Sequence, residues 1–86
     1  MSQVLETAKR FVMELELEKR NLERDHQSKQ REIAAAGQGV TGLVMVKLIQ
    51  DLSNANANYE RALQSVNSRI MTAKSNVEML EKMMER

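Results

Sequence analysis

The chain has 86 residues and a mass of 9.8 kDa, which is enough for one small domain and too little for two. It contains no Cys, Pro or Trp and only 3 Gly, which excludes a disulfide framework and a thiolate metal site and is typical of long helices rather than small β folds. Lys and Arg number 13 and Asp and Glu 12, so the net charge of +1 gives no overall field that would attract nucleic acid or anionic lipid.

The first predicted element is a helix from about residue 3 to residue 36. Ser2 is suited to cap its N-terminus, and Gly37 is suited to the left-handed conformation that often ends a helix. Apolar residues recur at helical spacing at Val4, Ala8, Phe11, Leu15, Leu22 and Ile33. His26 and Lys29 interrupt this pattern, so we expect a core that is strong in the N-terminal half of the helix and weak near the loop.

The three glycines, Gly37, Gly39 and Gly42, fall within six residues and predict a loop at residues 37–42. They also spell GxGxxG, which in dinucleotide-binding folds follows a β-strand and meets a pyrophosphate. An amphipathic helix precedes the motif here, and no βαβ unit fits in 86 residues. We therefore interpret the glycines as a hairpin loop and not as a nucleotide site.

The predicted tip of the hairpin is apolar. Between residues 33 and 49 the sole charged residue is Lys47, and Leu43, Val44 and Val46 follow the loop directly. We expect neighbouring protein to cover this tip. Insertion of the tip into a membrane is the alternative, although the segment is too short and too broken by glycine to span one as a helix.

The second predicted helix runs from about residue 43 to residue 85, with Thr41 as its N-cap. A heptad series that is apolar at every step predicts its packing seam: Met45, Leu52, Tyr59, Val66, Ala73 and Leu80. The apolar neighbours of this series change along the helix, from Leu48, Ala55 and Ala62 to Ile70, Val77 and Met84. Such drift is expected when a helix of 3.6 residues per turn follows a 3.5-residue repeat.

Together these elements predict an all-α fold, an antiparallel two-helix hairpin occupying residues 1–86. A bend centred on Gly39 would place residue i opposite residue 78 − i, so that Leu15 faces Leu63 and Val4 faces Lys74. The last ten or so residues of the second helix would then lack a partner. They include the predicted partner-binding residues Val77, Met79, Leu80, Met83 and Met84. Since two helices alone bury little apolar area, we expect the hairpin to complete a helical bundle with another copy or another helical protein.

The residues for catalysis or metal binding are sparse. Glu23 and His26 have the ExxH spacing of di-iron bundles, but the segment predicted to face them has no glutamate to complete such a site. We expect no enzymatic activity, no cofactor and no small-molecule substrate, because two helices enclose no catalytic pocket.

Three arginines on one face of the first helix, Arg20, Arg24 and Arg31, suggest an alternative function. They could contact phosphates, as in a dimeric helical hairpin that binds RNA or DNA. Acidic residues on the same face, Glu23, Asp25 and Glu32, offset the positive charge, so a solvated helix with ion pairs is the favoured interpretation. We therefore expect a protein partner, rather than nucleic acid or membrane.

In size and helix-turn-helix plan the chain is similar to small secretion-system components, namely type III needle subunits and short chaperones and type VII substrates of the WXG type. This similarity is architectural, because Val40, Thr41 and Gly42 stand where a Trp-x-Gly turn would be, and it transfers no residue roles. The predicted function is a non-enzymatic interaction module: an assembly subunit, adaptor or small chaperone. No signal peptide or membrane-spanning run is visible, so we expect a cytoplasmic protein, with export by a specialised system left open.

Overall fold

A computed structural model of the chain describes residues 2–85, and their side chains from residue 3 onward. It contains two helices, α1 at Ser2–Ala36 and α2 at Leu43–Met84, which pack antiparallel along their length. The Cα atoms span 67 × 16 × 11 Å. The predicted all-α antiparallel hairpin is confirmed. The predicted capping by the Ser2 side chain lies outside the described side chains.

Helix α1 ends through backbone hydrogen bonds rather than through a left-handed Gly37. The Gly37 amide donates to the carbonyl oxygens of Ile33 at 3.0 Å and Ala34 at 3.2 Å, and the Gln38 amide donates to Ala35 at 3.3 Å. These bonds satisfy carbonyl groups that the end of a helix leaves free. The positive φ angles occur instead at Gly39, with φ 76°, and at Gly42, with φ 69°.

Helix α2 begins at Gly42, and the prediction that Thr41 caps it is wrong. Gly42 occupies the N-cap position with φ 69° and ψ −139°, and its carbonyl accepts the first helical hydrogen bond, from the Val46 amide at 3.2 Å. This backbone conformation lies close to a region that is essentially restricted to glycine. The sharp change of chain direction is therefore at the last of the three glycines.

The register of the two helices differs from the predicted one by one heptad. The His26 and Tyr59 rings stack, and Gly37 lies beside Leu48; in both pairs the residue numbers sum to 85. Residue i therefore lies opposite residue 85 − i, and the predicted sum of 78 is wrong. A sum of 85 centres the turn between Gly42 and Leu43 rather than at Gly39, where the prediction placed it. A shift of seven residues corresponds to about 10 Å along a helix.

The buried core lies in the half of the hairpin away from the loop. It consists of Leu15, Val66, Ile70 and Ala73, with Val12, Leu22 and Leu63 packed against it. Val66 is 1% exposed. All six members of the predicted α2 heptad series are buried or half-buried, which confirms that series as the packing seam. The expectation of a strong core in the N-terminal half of α1 and a weak one near the loop is also confirmed.

The seam on α1 is partly different from the predicted one. Val4 and Phe11 are more than half exposed, whereas Val12 packs against the core. The half-buried positions follow a heptad through Leu5, Val12, Lys19, His26 and Ile33 and reach Val40 in the loop. Lys19 fits such a seam because its aliphatic stem covers apolar surface while its ammonium group reaches water.

Candidate protein-interaction surface

Exposed apolar side chains gather at both ends of the hairpin. We call the first group the open-end surface, because it lies where α1 begins and α2 ends. It comprises Val4 and Phe11 on α1 and Met79, Met83 and Met84 on α2. Met13, Leu17 and Met71 are also exposed, but they lie on other faces of the two helices. We call the second group the tip surface, because it lies beside the loop. It comprises Leu43, Val44, Val46 and Ile49. Exposed apolar side chains that are grouped on the surface of a soluble protein typically mark interaction sites.

The predicted partner-binding residues lie at the open end, but the reason given for choosing them is wrong. The register places the end of α2 beside the start of α1, as the Lys9 Nζ to Glu81 Oε2 distance of 3.9 Å demonstrates. Val77 is half-buried against α1 near Val12, and Leu80 is also half-buried. The exposed members are Met79, Met83 and Met84. Their contact with a partner stays a prediction.

An apolar groove runs along one side of the open end, and sequence reasoning missed it. Its walls are Val4, Thr7, Ala8 and Phe11 from α1 and Ala73 and Asn76 from α2, and its volume is about 600 Å³. The groove exists because small side chains face each other across the seam while Phe11 projects beside them, 52% exposed. The Thr7 hydroxyl donates to the Gln3 carbonyl at 2.8 Å, so this polar group is already satisfied within α1.

The opposite side of the open end is charged. There Lys9 lies 3.9 Å from Glu81 and Lys74 lies 3.7 Å from Glu16, and all four side chains are substantially exposed. Exposed ion pairs of this type contribute little to stability, but they keep that side hydrated. The open end therefore has one apolar side and one charged side.

A further ion pair limits the groove in the direction of the tip. The Arg69 guanidinium donates to both carboxylate oxygens of Glu18, at 3.0 and 3.3 Å. Glu18 lies two helical turns after Phe11, and Arg69 lies two turns before Asn76, so the pair continues the two groove walls. Beyond it, the same side of the hairpin is lined by polar residues such as Asn21, Asp25 and Ser65.

The tip surface is exposed because the first turns of α2 lie opposite the loop instead of a helix. Leu43 is 87% exposed, whereas Gly37 and Val40 in the loop are half-buried, and Gly37 lies beside Leu48. A smaller cavity of about 240 Å³ separates the end of α1 from the start of α2. The predicted apolar tip is thus present, and what covers it stays a prediction.

The three arginines of the alternative function are exposed. Arg20, Arg24 and Arg31 lie on one flank of α1, roughly 100° around the helix from the seam through Val12. The Arg24 guanidinium lies 3.7 Å from the carboxylate of the adjacent Asp25. Acidic neighbours therefore dilute this face in the structure as they do in the sequence.

The ExxH pair consists of Glu23 and His26, and His26 packs against α2. The His26 ring stacks on Tyr59 with 4.0 Å between centroids and 1° between planes. Among residues 2–85, no three His, Cys, Asp or Glu side chains are grouped as a metal site requires. One polar defect lies in the middle of the hairpin, where the buried Oδ1 atom of Asn56 has no hydrogen-bond partner within the described structure.

Comparison of the chain with protein-family models, with curated proteins and with solved structures found no match. Neither of the two described helices is long and apolar enough to cross a membrane. What the structure establishes is an extended helical hairpin with exposed apolar residues at both ends, a form that suggests assembly with protein partners.

Proposed function

We propose that the protein is a non-enzymatic interaction module, which acts as an assembly subunit, adaptor or small chaperone by packing its helices against those of a partner. The observation that carries this proposal is the exposed apolar surface at the open end. There Met79 and Met83 are 59% and 63% exposed, next to a groove with apolar walls. Methionine is flexible and polarizable, so a methionine-rich helix face adapts to partner helices of varied shape.

The total surface area supports the same proposal. The chain has an accessible surface of 6872 Å². A compact monomer of its mass would expose about 5,200 Å², so the hairpin exposes roughly 1,700 Å² more than a globular fold of that size. Small folds that lack disulfides and metal commonly gain the missing burial by association.

A helix-packing function predicts binding that resists salt, and the alternative function predicts the reverse. Burial of apolar side chains changes little with ionic strength, whereas contacts between Arg20, Arg24 or Arg31 and phosphates weaken steeply as counterions compete. The two functions therefore separate in a single titration of binding against salt.

The test is capture of partners by the tagged protein from a lysate of its natural host. Binding is compared at about 0.1 M and about 1 M salt, because contacts with phosphates are lost as the salt concentration rises. A double variant, Met79→Asp with Met83→Asp, places two charges on one face of α2 one turn apart. Met71→Asp is the matched control, because Met71 is also exposed, at 74%, but lies about 100° around the helix.

We expect a protein, either another chain or untagged copies of this one, to be captured at both salt concentrations. The double variant should lose it and the control should retain it. Capture of nucleic acid alone, lost at high salt, would establish the alternative function. If no protein were enriched under either condition, the proposed function would be wrong.

A further inference from the structure

We propose that the partner at the open end is a second copy of this chain, and that the groove side forms an isologous, two-fold interface with Phe11 as its anchor. This inference rests on the proposed function, and it specifies the occupant of one surface. Four helices would then surround a shared core in which the walls of the two grooves face each other.

The area and charge of the hairpin fit such a dimer. The excess of roughly 1,700 Å² over a compact fold is spread over the whole hairpin, and it exceeds the 800 Å² or so that each partner buries in a standard interface. A net charge of +1 per chain gives almost no repulsion between two copies.

In the proposed dimer the groove side of one copy faces the groove side of the other. In a two-fold interface, residue i of one copy contacts residue j of the other, and residue j contacts residue i in return. Phe11 projects from one wall, and beside it lies a cavity lined by the small side chains of Thr7, Ala8 and Ala73. The Phe11 ring of each copy can therefore fill the cavity of the other.

The ion pairs on the charged side of the open end indicate that the groove side, and not the charged side, forms the interface between the two copies. Lys9, Glu81, Lys74 and Glu16 are engaged in ion pairs across the seam on the opposite side, and burying them would require their desolvation. The Glu18–Arg69 pair limits the apolar walls toward the tip. Of the two sides of the open end, the groove side is thus the one suited to burial.

The experiment is sedimentation equilibrium of the purified chain between 1 and 100 µM. A dimer with a dissociation constant on the order of 1 µM or below would be largely assembled across this range. Phe11→Glu is compared with Met13→Glu, because both side chains are exposed on α1 but Met13 lies on the face away from α2. Asn76→Glu is compared with Ser75→Glu on α2, where Asn76 lines the groove and both residues are exposed.

We expect a dimer for the wild type and for both control variants. Phe11→Glu and Asn76→Glu should each weaken the dimer at least tenfold while the helical circular dichroism signal is retained. If Phe11→Glu failed to fold, Asn76→Glu would still decide the result, because glutamate favours the helix.

A wild type that is monomeric at 100 µM would overturn this inference, as would a trimer, a fibre, or a dimer insensitive to Asn76→Glu. A monomer that still captures another protein from the lysate would leave the proposed function intact and refute only self-pairing. A monomer that captures nothing would refute both.

Discussion

Gly42→Ala is expected to destabilise the hairpin by about 1–3 kcal/mol, because Gly42 holds a backbone conformation that other residues rarely adopt. Its φ is 69° and its ψ is −139°. A Cβ atom built on Gly42 would have no neighbour within 4 Å, so the cost comes from the backbone and not from a clash. This glycine sets the point at which the chain reverses, and with it the register of the helices.

Gly37→Ala is the matched comparison within the same loop. A Cβ atom there would lie 3.5 Å from the Ile33 and Ala34 carbonyl oxygens and 3.8 Å from Leu48 Cδ1, which are ordinary contacts. Gly37 is not among the glycines with positive φ. We expect this substitution to stabilise the hairpin by about 0.4–1 kcal/mol, because it restricts the unfolded chain without straining the folded one.

The assay is thermal unfolding followed by circular dichroism, with all proteins at one concentration. For a domain of this size 1 kcal/mol shifts the melting temperature by roughly 4–8 °C. A loss of about 2 kcal/mol in Gly42→Ala should therefore lower it by roughly 8–16 °C, while Gly37→Ala should raise it slightly. A Gly42→Ala variant that melts at or above the wild type, or a Gly37→Ala variant that melts below it, would refute the assigned bend.

Three further substitutions, two of them paired with a control, test the packing by chemical denaturation. Val66→Ala should cost about 2 kcal/mol, because it removes two buried methyl groups and leaves a cavity, whereas Val46→Ala at an exposed position should change the free energy of unfolding by less than about 0.5 kcal/mol. Asn56→Ala should stabilise the hairpin by about 1 kcal/mol more than Asn54→Ala, because both gain helix propensity but the first also removes a buried oxygen without a partner. Glu18→Gln should cost less than about 1 kcal/mol, since its ion pair is half-exposed.

The helices and the α2 seam could be predicted because each depends on local sequence. The absence of proline and the clustering of glycine leave one place for the chain to turn. The heptad from Met45 to Leu80 has no polar interruption, so the side of α2 that packs could be identified without knowing its partner.

The register could not be predicted in the same way, because a heptad repeat allows two helices to slide by seven residues and keep their apolar stripes in contact. The choice between such registers depends on which glycine forms the bend. Gly39 and Gly42 both adopt positive φ, and the sequence does not indicate that the chain reverses at the second. The predicted pairing was therefore one heptad away, and the end of α2 was wrongly left without a neighbour.

The candidate site was predicted only in part, for a related reason. Phe11 and Val12 are adjacent and both apolar, and the predicted apolar series of α1 passes through Phe11. The seam follows Val12 because Lys19 and His26 continue its heptad, although polar residues conceal that series in the sequence. Phe11 is left at the rim of a groove, whose far wall comes from Ala73 and Asn76 and becomes visible once the register is known.

On our proposal, two copies of the hairpin associate to form one four-helix bundle. The most direct test is the melting temperature of the purified chain at 1 and 100 µM. For a two-state dimer with an unfolding enthalpy of about 0.7 kcal/mol per residue, a hundredfold increase in concentration should raise it by about 8 °C. A single cooperative transition at the same temperature for both concentrations would contradict the claim.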